Sequence, residues 1–176
     1  MRAGRRADLT MLAGPTLRAV PFLSDIQHRR VLDAGGDAVG RLRDVAVIPS
    51  ERIPAVQWAI LATGDGERIV RWGDLAIEPA HVRLRRRLES LPPETLPAGA
   101  LHLGRDLLDQ EISAGRVTDL QLEESGGQLR LLGADVGWRG LLRRIGIESP
   151  VAGIARAIGR PLPARIVPWT EVRLRG

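Results

Sequence analysis

The octapeptide Arg68-Ile69-Val70-Arg71-Trp72-Gly73-Asp74-Leu75 returns near the C-terminus as Arg165-Ile166-Val167-Pro168-Trp169-Thr170-Glu171-Val172. A short apolar strand, a Trp and an acidic turn are used twice. Other matches keep the same order. Gly40-Arg41-Leu42-Arg43-Asp44-Val45 corresponds to Gly115-Arg116-Val117-Thr118-Asp119-Leu120, and Leu23-Ser24-Asp25-Ile26 to Gly104-Arg105-Asp106-Leu107. An ordered series of matches marks an internal duplication of a small β domain. Each copy has roughly 80 residues, a size at which one core is marginal, so the copies are expected to pack together. With four Trp and one Phe, that core must be mostly aliphatic.

Turn chemistry places the strands. Gly35-Gly36-Asp37 closes a hairpin between Arg30–Asp33 and a returning strand over Val39–Ile48, with a bulge expected near Gly40. A second hairpin joins Val56–Leu61 to Arg68–Trp72 across Thr63-Gly64-Asp65-Gly66. Val82 and Leu84 alternate with His81, Arg83 and Arg85, as in a half-exposed strand. In the second copy Ser113-Ala114 and Ser125-Gly126-Gly127 are the turns. Residues 89–100 hold Pro92, Pro93 and Pro97 and read as a linker, and residues 1–19 as a flexible basic leader. The copies diverge over residues 138–160, where spacing turns helical. Leu141, Leu142 and Ile145 share one face, and Arg139, Arg143 and Arg144 another. Gly146 suits a C-cap, and Ser149-Pro150 opens a second helix.

The hairpin, the Gly-Arg-x-x-Asp run and Val167-Pro168-Trp169-Thr170-Glu171-Val172 together resemble the PRC-barrel fold. That fold is shared by the photosynthetic reaction-centre H subunit and a bacterial ribosome maturation factor. His102-Leu103-Gly104-Arg105-Asp106-Leu107-Leu108-Asp109-Gln110 and the run Leu132–Gly146 are similar to the cytosolic PRC-barrel region preceding some MgtE-type magnesium transporters. The resemblance covers residues 20–176. It implies an all-β fold: two small PRC-like barrels in tandem, residues 20–88 and 101–176, with a short helical insertion in the second. The first copy departs from the pattern, carrying Arg71 where Pro precedes Trp.

The chain has no Cys, so disulfides, thiolate metal sites and cysteine nucleophiles are excluded. His28, His81 and His102 have no ligand at metal-binding spacing and read as strand or loop residues. The recurring acids Asp44, Asp119, Asp74 and Glu171 would suit Mg2+ binding or acid–base work. Their recurrence at equivalent turns argues for pinning backbone N–H groups instead. Gly64-Asp65-Gly66 and Gly35-Gly36 match no phosphate loop, and no Ser lies in a nucleophile elbow. The expectation is a non-enzyme without cofactor or metal. Trp72 and Trp169 would serve as base-stacking platforms or as core plugs, and their recurrence favours the core.

Net charge is +5, and every basic residue is Arg. An arginine surface suits RNA phosphate, but 21 interspersed acids suit ordinary solvated faces. Arg83 to Arg87 would touch phosphate or protect an exposed edge strand. No apolar run reaches the roughly 18–20 residues that cross a bilayer. The candidate partner site is Trp138, Arg139, Leu141, Leu142, Arg143, Arg144 and Ile145, a short basic amphipathic segment suited to an acidic partner helix or a membrane. The function expected is a non-catalytic cytoplasmic interaction or regulatory module. Its partner would be a membrane transporter, such as a magnesium transporter, or that transporter's cytosolic domains. The alternative is an RNA- or ribosome-associated assembly factor.

Overall fold

The computed structural model describes residues 21–49, 52–137 and 165–173. The leader and the segment 138–160 lie outside the described residues. The class is all-β, and the helices among the described residues are short turns. After α1 (Leu23–Ile26) come β1 (Arg30–Leu32), β2 (Ala38–Val47), β3 (Val56–Thr63), β4 (Gly66–Arg71), β5 (Leu75–Ile77) and β6 (Val82–Leu84). Then follow β7 (Leu101–His102), a π-helical turn (Leu103–Leu107), β8 (Glu111–Ile112), β9 (Gly115–Arg116), β10 (Asp119–Ser125), β11 (Gln128–Asp135) and β12 (Ile166–Pro168). The first sheet runs β4-β3-β2-β1-β6-β5, with β7 also paired to β2. β10-β11-β12 form a second sheet and β8-β9 a separate ribbon.

The repeat holds strand by strand. Val45 faces Ala59, which faces Val70. In the second copy Leu120 faces Ala134, which faces Val167. Val31 opposite Gly40 is matched by Ile112 opposite Gly115. The expected bulge is present: Val31 faces Gly40, Leu32 faces Ala38, and Val39 is left over. Gly40 is required there, because a Cβ would run into the Ala62 carbonyl of β3. Gly126 and Gly127 both have positive φ, 59° and 80°, which suits the two-residue turn between β10 and β11.

Trp72 and Trp169 do not continue their strands. Each opens a 3-10 turn that carries the acid, Trp72–Asp74 and Trp169–Glu171. Nor is β6 an edge. It lies between β5 and β1, parallel to β1, so the arginine cluster does not guard an exposed strand. Local alternation is the same for an edge strand and an inner one, which is why the pattern misplaced it.

One hydrophobic core joins both copies, from Leu23, Leu42, Val45 and Trp72 to Leu103, Leu120, Leu131 and Val167. Strand alternation sends Ala59, Leu61 and Val70 into it. Trp58 and Ile60 point to the opposite face, where Ala46, Ile69 and Leu96 complete a smaller cluster. The segment read as a linker carries packing of its own. Leu91 is buried in the main core and Leu96 packs on the smaller cluster.

Candidate functional site

Of the seven residues picked as a partner site, Trp138, Arg139, Leu141, Leu142, Arg143, Arg144 and Ile145, none is among the described residues. What the structure places together instead is a reciprocal clasp between the copies. Asp44, on β2, is buried. Its carboxylate accepts the N–H of Gly104 at 2.7 Å and of Arg105 at 3.0 Å, besides that of Val45 at 2.8 Å. Asp119, its counterpart on β10, accepts the N–H of Ser24 at 3.2 Å, its hydroxyl at 2.6 Å, and the N–H of Leu120 at 2.8 Å. Each copy's lead-in turn therefore docks on the other copy's aspartate. The Ser24 hydroxyl does in one clasp what the Arg105 amide does in the other.

The backbone before each turn makes the same crossing. Leu101 and His102 pair with Val47 and Ala46. Phe22 pairs with Gln121, and Leu122 donates to the Pro21 carbonyl at 2.8 Å. Within the turns, Asp25 accepts the Phe22 N–H and Asp106 that of His102, both at 2.8 Å. The second turn is one residue longer, which converts an α turn into a π turn.

The histidines take three separate roles. His102 is buried beside the first clasp, with Nδ1 3.8 Å from Asp44 Oδ2. His81 meets Glu78 at 2.8 Å, and Arg83 meets the same Glu78 at 2.7 Å. The hydrogen bond from Arg83 holds the Glu78 carboxyl below its ordinary range. His28 is exposed in a positive-φ conformation. Among the described residues no three His, Asp or Glu side chains are grouped to hold a metal ion. Trp72 is buried in the core and Trp169 packs against it. Asp33 pins its own turn, accepting from Gly35 and Asp37, and Asp135 accepts from Gly137. Sequence reasoning missed Trp58. The signal was the apolar run Val56–Leu61, broken only by Gln57, which implies a strand covered on both faces.

Asp106 supplies a pH test of the first clasp. The hydrogen bond from the Arg105 guanidinium, at 2.8 Å, holds its carboxyl below the ordinary value. The His102 N–H adds to this against the opposing effect of burial. A folded-state value below the unfolded one gives stability that is present above about pH 4 and lost as pH falls through the folded value. Asp106→Asn is therefore expected to lower the urea midpoint at pH 6, with the gap from the parent closing toward pH 3.

The exposed arginines divide. Arg43 is bound to Glu67, Arg86 to Asp74 and Arg116 to Glu111. Arg30 and Arg41 face each other directly across β1 and β2, and neither meets an acid among the described residues. No described helix is long and apolar enough to cross a membrane. Compared with models of known protein families and with curated protein sequences, the chain matches none.

Proposed function

We propose that this chain is a non-catalytic interaction module built from two PRC-type barrels, docking to a protein of a membrane system such as magnesium transport. The observation that carries this reading is the use made of the buried acids. Asp33, Asp44, Asp119 and Asp135 each accept main-chain N–H groups, so the carboxylates that would do chemistry are engaged in holding turns and joining the copies. Recognition then falls to the surface and to Trp138, Arg139, Leu141, Leu142, Arg143, Arg144 and Ile145, the segment the two copies do not share. The module would work in the cytoplasm, held at a membrane through its partner.

Arg143→Glu with Arg144→Glu is expected to abolish co-purification of the partner, identified by mass spectrometry, while leaving the urea midpoint unchanged. Retained capture would reduce the segment to packing. The facing pair Arg30 and Arg41 favours the second reading, an RNA-associated factor, since like charges directly opposite are unfavourable without an anion. RNA binding that weakens steeply between low and physiological salt would establish that reading in place of the first.

A further inference from the structure

The residues 91–97, Leu-Pro-Pro-Glu-Thr-Leu-Pro, wrap the free side of β4. Arg68 and Arg71, three apart on that strand, project to opposite faces and hold the segment on both. On the core side, Arg68 donates to the Leu91 carbonyl at 2.7 Å. On the other side, Arg71 lies over the Trp58 ring, 5.1 Å from its centroid, and pairs with Glu94 at 2.9 Å. Leu96 packs against the cluster formed by Ala46, Trp58 and Ile60.

The cover is loosely made. Pro92, Pro93 and Pro97 have no N–H to give. Among the described residues no main-chain hydrogen bond ties Glu94, Thr95 or Leu96 to the strand. Beneath it Trp58 is 4% exposed, and its indole Nε1–H finds no acceptor. A buried donor left unmatched is costly, so this cover is a poor fit to the face it lies on.

The second copy shows that the fold does not need this face. Register puts Gly133 where Trp58 stands, Asp135 where Ile60 stands, and Pro168 where Arg71 stands. Aromatic ring, apolar floor and cation belong to the first copy alone. Extended proline-rich segments dock on aromatic-lined surfaces, and their carbonyls, unused within the segment, are free to accept from an indole N–H.

We infer that the Trp58–Arg71 face is a recognition site for an extended, proline-rich peptide carrying an acidic residue on another protein, and that residues 91–97 are its built-in competitor. The bound peptide displaces Leu96, replaces Glu94 on Arg71 and gives Trp58 Nε1 an acceptor.

The test uses the full chain and a synthetic peptide of sequence Leu-Pro-Pro-Glu-Thr-Leu-Pro, followed by Trp fluorescence. The parent protein should bind it weakly. Glu94→Arg with Leu96→Ser should bind at least tenfold more tightly, and adding Arg71→Glu should remove that gain. Because this variant touches an apolar cluster, a second protein keeps the test decisive. A protease site at the exposed pair Ala98-Gly99, cut after folding, frees the cover without altering the face. The cut protein should bind the peptide as the loosened variant does, and a peptide with Lys in place of Glu should bind at least tenfold less. Binding by the cut protein no tighter than by the parent, or unaffected by Arg71→Glu, overturns the inference. None of residues 138–145 enters the test, so its failure leaves the proposed function standing.

Discussion

Asp44→Ala is expected to lower the unfolding free energy by about 3–4 kcal/mol, measured from urea denaturation. Hydrogen bonds to a charged acceptor contribute about 1.5–3 kcal/mol each, and their donors become orphans when the acceptor goes. Three main-chain N–H groups lose their partner here, two of them from the other copy. Asp119→Ala should cost a similar amount, since it strands Ser24 and Leu120. Asp44→Asn keeps one acceptor oxygen and should cost less. Both clasps fasten the same two bodies, so the double replacement should cost less than the sum. An Asp119→Ala protein as stable as the parent would show that the second clasp fastens nothing.

The second large effect is steric. Gly40→Ala is expected to cost about 2–4 kcal/mol, combining a strained backbone with overpacking. Its counterpart Gly115 shares the conformation, with φ 133° against 155°, but a Cβ there meets only the Val136 Cβ at 3.7 Å. Gly115→Ala carries the conformational cost without the clash. The difference between the two variants, read by thermal or urea unfolding, isolates the collision with the Ala62 carbonyl and should be about 2 kcal/mol.

These two cases mark what the sequence could and could not reveal. The order of motifs predicted the common register of the strands, because register follows from alternation and turn position, which are local. The glycine turns and the bulge were legible for the same reason. Of the four recurring acids, Asp44 and Asp119 pin backbone N–H groups, whereas the Asp74 carboxylate accepts from the Arg86 guanidinium. The principal partners of Asp44 and Asp119 lie 60 and 95 residues away. A carboxylate that caps a distant turn leaves no periodicity to detect. The placement of β6 beside β1, and the passage of residues 91–97 over Trp58, are also contacts between distant segments. The apolar run Val56–Leu61 announced a second covered face without saying what covers it. The seven residues proposed for partner binding, 138, 139 and 141–145, fall outside the described part of the chain.

The crossed lead-in turns also bear on how the chain reaches its native state. The turn that completes β2 is made more than fifty residues after it, and the one that completes β10 is made about ninety residues before it. As the protein leaves the ribosome, its first half emerges with an aspartate awaiting a turn not yet synthesised and a turn awaiting an aspartate not yet synthesised. Contacts of such sequence separation must overcome loop-closure entropy before they stabilise anything. Folding should therefore be slow for a chain of this length, and concerted across both copies.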